Sequence, residues 1–149
     1  MNYLEKVKQF NDTTGCFQPE KPNLEGRTKL RIDLIQEELD ELKDGIKIKS
    51  KLDTLDALCD LQYVLSGAII ELGFIDIFNE AFNRVHESNM SKFCKTNEEA
   101  WETLDSYKLK DIESYWTKVD SLYIVKRMTD GKTLKSINYK PVNLINLLT

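Results

Sequence analysis

The sequence is poor in soft metal ligands, with one histidine, His86, and three cysteines among 149 residues. Cys16, Cys59 and Cys94 are odd in number and widely spaced, so they match neither a disulfide framework nor a zinc pattern. Zinc usually recruits histidine or cysteine, and the chain offers no such set. We expect reduced thiols in a cytoplasmic protein.

Long apolar runs and a strong excess of one charge are also missing. No stretch reaches the roughly 18 apolar residues of a membrane span, and the opening "MNYLEKVKQF" lacks the apolar core of a signal peptide. The net charge of -4 is mild, which does not favour a nucleic-acid footprint. We expect a protein that binds neither membranes nor nucleic acid, with one domain over residues 1–149.

Apolar residues recur at helical spacing through most of the first 91 positions, and alternation begins later. Segment 13–26 holds two of the three prolines and two glycines, which predicts a loop. Gly45 and Gly73 are placed to end two of the helices. The predicted helices cover residues 3–11, 27–45, 53–72, 75–91 and 96–112, and strands are predicted near 114–119 and 121–128, with a later Asp-Gly turn. The expected fold is mainly α, with a helical body of about 1–93 and a small C-terminal α+β appendage of about 95–149 that contains a hairpin.

The segment "RIDLIQEELDELKDG", residues 31–45, carries six acidic side chains in fifteen positions. At about 100° per residue, an apolar ridge runs along one side of this helix; it is formed by Ile35, Leu39, Leu42 and Ile46. Glu38 projects beside the ridge, Glu41 follows it, and Glu37 lies at the border. The remaining acids face water: Asp33, Asp40 and Asp44. An unpaired carboxylate on the packed side costs several kcal/mol, so something cationic should meet Glu38.

The helix predicted over residues 53–72 has acids on its flank as well. Asp53, Asp56 and Asp60 cluster on one side of its apolar ridge, and Val64, Gly67 and Glu71 continue that strip. In an antiparallel pair this strip would lie beside Glu38 and Glu41. Carboxylates gathered in this way repel one another unless a cation bridges them.

Two explanations of the acidic strips remain open at this stage. Oxygen-only ligands suit Mg²⁺ or Mn²⁺, a common platform for phosphate chemistry. Acidic residues are also good helix formers at surfaces, and most glutamate-rich helices are only solvated faces. Because two consecutive helices repeat the feature, the metal site is a serious alternative to the solvated face.

Four stretches together resemble a known family: "EELDE" at 37–41, "DALCDLQYV" at 56–64, "VHESNMSKF" at 85–93 and "DGKTLKSINYKP" at 130–141. Their order and spacing are similar to those of the MazG-like, all-α nucleoside triphosphate pyrophosphohydrolases, in the subgroup labelled phosphoribosyl-ATP pyrophosphohydrolase-like. The resemblance covers residues 1–93 and the tail, whereas segment 95–128 looks like an insertion.

The resemblance implies hydrolysis of a nucleoside triphosphate to the monophosphate and pyrophosphate, with Mg²⁺ as cofactor and Mn²⁺ as a substitute. A role in removing noncanonical or surplus nucleotides would fit. It also implies a homodimer or homotetramer. Two alternatives remain: phosphoribosyl-ATP hydrolysis in histidine synthesis, and a relative that binds nucleotide and metal without turnover.

Site residues follow from the same resemblance, motif by motif. The expected metal ligands are Glu38, Glu41, Asp56 and Asp60, and the expected catalytic residues are Glu37 and Glu38. Glu37 is either the base that activates water or a further metal ligand. The family's second element is usually ExxD, and its glutamate position is Ala57 here, so Asp56 is expected to substitute because it lies one turn before Asp60. Asn89 and Lys92 are expected to bind substrate, through base or sugar and through phosphate respectively.

Overall fold

The computed structural model describes residues 2–16 and 18–148. It is mainly α with one small antiparallel hairpin near the C-terminus, which confirms the predicted fold class. The elements are α1 (Tyr3–Thr14), α2 (Thr28–Lys47), α3 (Lys51–Glu71), α4 (Ile75–Met90), α5 (Asn97–Lys108), β1 (Ser114–Val119), β2 (Leu122–Arg127) and a 3-10 turn (Ile145–Leu147).

The chain forms two compact units, Met1–Asn79 and Glu80–Thr149, and their boundary lies inside α4. The first unit holds α1, α2 and α3, and the second holds most of α4, α5 and the hairpin. The prediction that a single domain spans residues 1–149 stays a prediction.

Local sequence explains where several helices begin and end. Asn2 and Glu5 form a capping box at the start of α1, each side chain accepting the other's backbone N–H. Ser50 caps α3 by accepting the Asp53 N–H at 3.2 Å. Gly73 follows α3 with a φ of +76°, a left-handed conformation that favours glycine.

The predicted end of α2 at Gly45 is wrong, because the helix continues to Lys47. Gly45 is buried within α2 and faces the start of α3. A Cβ on Gly45 would lie 3.0 Å from the Thr54 nitrogen and 3.2 Å from the Asp53 carbonyl carbon. The glycine therefore permits close approach of two backbones, and it does not cap the helix.

The second unit is organised around a small core under α5 and the hairpin. Strands β1 and β2 pair from Ser114↔Arg127 to Val119↔Leu122, which leaves a two-residue turn between them. The Asp-Gly dipeptide at 130–131 lies after β2 and reverses the chain a second time, into an isolated bridge between Lys126 and Thr133. The core residues are Cys94, Ala100, Val125 and Leu134, with Trp116 and Tyr123 packed against them.

Within the described ranges, no single helix is both long and apolar enough to cross a membrane. Helices α3 and α4 reach the length and apolar composition of a membrane span only when they are counted together, and the chain bends by 119° between them.

Candidate functional site

The six acidic residues of α2 divide into two groups by position, an outer face and the flank beside the apolar ridge. On the outer face, Asp33 is paired with Lys29, and Asp40 is paired with Lys43 at 2.8 Å. The other group consists of Glu37, Glu38 and Glu41. In the described part of the chain, none of these three carboxylates forms an ion pair or a side-chain hydrogen bond with a neighbour. Asp44, the third acid of the outer face, forms no ion pair among the described residues either, and it is exposed, so this face is an ordinary solvated one. The three flank acids differ from it by their position beside the apolar ridge.

Two close contacts fix how α2 and α3 lie against each other. Near one end of the pair, Gly45 faces Thr54, and near the other, Arg31 faces Gly67. Glu38 lies seven residues from both Gly45 and Arg31, and Asp60 lies seven residues before Gly67. Because the two helices run antiparallel, this register places Glu38 level with Asp60.

The electrostatics of Glu38 reflect that register. Partial burial is the largest cause that raises the pKa of the Glu38 carboxyl above its usual value. The negative charges that raise it further are, in order of size, those of Glu41, Asp60, Glu37 and Asp56. The five carboxylates therefore share one electrostatic neighbourhood, and Glu38 is at its centre.

The departure from the ExxD pattern has a simple structural setting. Ala57 is buried, with 2% of its surface exposed, whereas the neighbouring Asp56 is exposed. Asp56 also acts on the charge of Glu38. The replacement ligand suggested by the sequence is thus on the acidic side of α3, although the ligand roles of all four carboxylates stay predictions.

One further acid of the α3 strip, Glu71, does have cationic partners. Glu71 is buried and accepts a hydrogen bond from Arg31 of α2, and Arg27 Nε lies 3.6 Å from its second oxygen. The sequence places Glu71 on the acidic strip of α3, and helical periodicity alone does not identify Arg31 as its partner. The signal it missed is Gly67, one turn before Glu71, where a Cβ would lie 2.7 Å from the Arg31 guanidinium.

The two predicted substrate residues lie in the second unit. The Lys92 ammonium donates to the Asn89 side-chain oxygen at 2.6 Å, so the two are brought together with each other. Both side chains lie at or near the C-terminal end of α4. Their predicted contact with a nucleotide stays a prediction.

Within residues 2–16 and 18–148, no three side chains of the usual ligand types converge closely enough to hold a metal ion by themselves. The donor set nevertheless fits a hard divalent cation, because it is made only of carboxylates and none of them is paired with a lysine or arginine in the described part of the chain. Mg²⁺ is commonly bound through one or two carboxylates, with waters and substrate phosphates completing the shell. A closed protein cage is therefore not required for the predicted cofactor.

Comparison with known proteins identifies the family to which this chain belongs. The model of the phosphoribosyl-ATP pyrophosphohydrolase family matches residues 6–89, more than half of the chain. This match defines the class of protein as a MazG-like pyrophosphohydrolase. The chain belongs to the phosphoribosyl-ATP pyrophosphohydrolase family, which confirms the predicted resemblance.

One similar relative is an uncharacterized protein of Acanthamoeba polyphaga mimivirus. The two are 43% identical over 94 residues, which cover 58% of this chain and 38% of the relative. The chain thus spans well under half the length of that protein. MazG-like pyrophosphohydrolases in general depend on a divalent metal.

Proposed function

We propose that this protein hydrolyses a nucleoside triphosphate between its α and β phosphates, giving the nucleoside monophosphate and pyrophosphate. One observation carries the proposal: five carboxylates on facing flanks of α2 and α3 have no cationic partner in the described residues. Partial burial, and then the charges of the other four, raise the pKa of Glu38. A site with this excess of negative charge fits a bound divalent cation with a polyphosphate. Family membership supports the same reaction class.

In the proposed site, Glu38, Glu41, Asp56 and Asp60 hold Mg²⁺, for which Mn²⁺ can substitute. A bound divalent cation neutralises phosphate charge and makes an attacking water more acidic. Glu37 acts as the general base: it takes a proton as the water oxygen bonds to the α phosphorus. The bond from that phosphorus to the bridging oxygen then breaks, and pyrophosphate leaves with the electron pair.

Asn89 and Lys92 are proposed to bind the base or sugar and the phosphates. We further propose a homodimer or homotetramer that acts in the cytoplasm on nucleotides, without binding nucleic acid or membrane. Phosphoribosyl-ATP is the second candidate substrate, because the matched family carries that description and the same kind of bond is broken.

The test is phosphate release from a panel of canonical and modified nucleoside triphosphates and phosphoribosyl-ATP, with Mg²⁺ present. Each substrate is assayed with and without added inorganic pyrophosphatase. Release that depends on the pyrophosphatase identifies cleavage between the α and β phosphates, whereas release without it would indicate loss of the γ phosphate. Turnover of phosphoribosyl-ATP alone would favour the second candidate.

Matched variants connect the activity to the acidic cluster. Glu38→Gln keeps the shape of the side chain but removes one charge, and it should reduce turnover by roughly 10²-fold or more. Asp44→Asn removes a charge from the outer face of the same helix and should leave turnover unchanged. Equal activity of the two variants would refute the site. Binding of nucleotide without turnover of any substrate would indicate a non-catalytic relative.

A further inference from the structure

Residues 135–140, here called the return segment, bring the chain back to the end of α4. The Ser136 N–H donates to the Lys92 carbonyl at 3.1 Å. The Lys140 N–H donates to the Ser91 hydroxyl at 2.9 Å. Both ends of this short segment are therefore tied to the residues that follow α4, within the second unit.

Helix α5, which belongs to the predicted insertion, holds the same segment from the other side. The Tyr107 hydroxyl is hydrogen-bonded to both backbone groups of Lys135: it accepts from the N–H at 3.0 Å and donates to the carbonyl at 3.1 Å. The fully buried Thr103 hydroxyl accepts the Ile137 N–H at 3.2 Å. The insertion therefore fixes the backbone from which the side chains of Lys135 and Tyr139 project.

These two side chains meet beside the end of α4. The Lys135 ammonium lies 4.2 Å from the centre of the Tyr139 ring. The Tyr139 hydroxyl is hydrogen-bonded to the buried Ser88 hydroxyl, with 3.3 Å between the oxygens. The Ser88 hydrogen bond, followed by the positive charges of Lys135 and Lys92, lowers the pKa of Tyr139. A phenol hydroxyl and two ammonium groups thus occupy one neighbourhood.

The positive charge of this group is not neutralised within residues 80–148. Lys92 donates to the neutral side-chain oxygen of Asn89, and Lys135 lies over a neutral ring. In that part of the chain, neither lysine forms an ion pair with a carboxylate. Two ammonium groups and a hydroxyl donor match the oxygens of a phosphate. Charge-assisted hydrogen bonds to phosphate are strong, and the compact charge of a lysine ammonium can form them.

We propose that Lys135 and Tyr139 join Lys92 in a phosphate-binding site, so that the return segment contributes directly to substrate binding. The ligand class is a phosphate or pyrophosphate group of the nucleotide, and the identification of that nucleotide rests on the proposed function. In this proposal the insertion supports substrate binding, because its residues Thr103 and Tyr107 are positioning residues that hold the return segment in place.

The experiment measures binding of inorganic pyrophosphate by phosphorus NMR, at low ionic strength and in EDTA, so that metal held by the acidic cluster contributes nothing. The wild-type protein is compared with Lys135→Gln and Tyr139→Phe. Lys118→Gln is the matched control, because its ammonium also lies over a tyrosine ring, Tyr123, at 5.3 Å in the same unit. Thermal unfolding of each variant checks that it remains folded.

We expect Lys135→Gln to raise the dissociation constant for pyrophosphate about tenfold and Tyr139→Phe about threefold, with Lys118→Gln unchanged. The same order should appear in the KM for the nucleotide. Equal pyrophosphate affinity of the folded variants, or no binding by the wild-type protein, overturns the site whether or not the protein is an enzyme. Loss of binding in Lys135→Gln supports the site even if no triphosphate is hydrolysed, an outcome that would refute only the proposed function.

Discussion

Arg31 of α2 and Glu71 of α3 form an ion pair in which only 11% and 3% of the two side chains are exposed. The guanidinium occupies the space beside Gly67, where a methyl group would lie 2.7 Å from it. With the Gly45 contact, this pair fixes the register of the helices and thereby sets Glu38 level with Asp60. The ion pair lies about two turns from Glu38 along α2 and about three turns from Asp60 along α3, and it helps to set the geometry of the acidic cluster.

The first prediction concerns that ion pair. Glu71→Gln leaves Arg31 charged and buried without its anion, so it should lower the free energy of unfolding by about 3 kcal/mol. Urea denaturation measures the change. Glu80→Gln is the control, because it breaks the more exposed pair with Arg84 and should cost about 0.5 kcal/mol or less. Equal losses of unfolding free energy in the two variants would show that the buried pair contributes no more to stability than the exposed one.

The second prediction concerns Gly45, where replacing glycine with alanine should destabilise the protein, although the same change inside a helix usually stabilises it. Glycine to alanine inside a helix normally stabilises by roughly 1 kcal/mol. At Gly45 the added methyl meets the Thr54 backbone at 3.0 Å, and backbone atoms cannot rotate away. Gly45→Ala should therefore lower the melting temperature, and a higher one would show that α2 and α3 are not held this closely in solution.

Helical periodicity predicts α3 and its end at Gly73 closely, and alternation predicts β1, because each depends on neighbours within a few residues. The two acidic flanks follow from periodicity as well. The function of Gly45 and the partner of Glu71 do not, since both depend on contacts between α2 and α3. The contacts of the return segment could not be predicted either, because no residue near Lys135 in the sequence shows that Tyr107, 28 residues earlier, holds its backbone.

The third prediction concerns metal. Mg²⁺ or Mn²⁺ should raise the melting temperature, because a bound cation relieves repulsion among the acids around Glu38. EDTA should reverse the gain. Asp60→Asn should reduce it, whereas Asp44→Asn should not. A melting temperature that is indifferent to millimolar Mg²⁺ and to EDTA would favour the solvated-face explanation.

The fourth prediction concerns pH in the absence of metal. The folded protein holds a proton on Glu38 more tightly than the unfolded chain does, since its pKa is raised. The associated stability is present below the ordinary glutamate pKa of about 4.3 and is lost as pH rises through the folded value. Glu38→Gln should therefore raise the melting temperature in EDTA at pH 7, and the gain should shrink toward pH 4. A gain that stays constant with pH would contradict this origin.

The fifth prediction concerns assembly. Leucines of α3 lie within about 80° of one another around the helix axis but remain uncovered in the first unit; these are Leu55 at 61%, Leu58 at 49% and Leu65 at 43% exposed. An apolar strip of this kind is costly in water and typical of a subunit interface.

We expect a homodimer or homotetramer by light scattering at micromolar concentration, and Leu55→Glu should dissociate it. Leu109→Glu, at an 89% exposed position in the second unit, is the control and should leave the assembly intact. A fully active wild-type species at the 17.3 kDa chain mass would show that these leucines are not an interface.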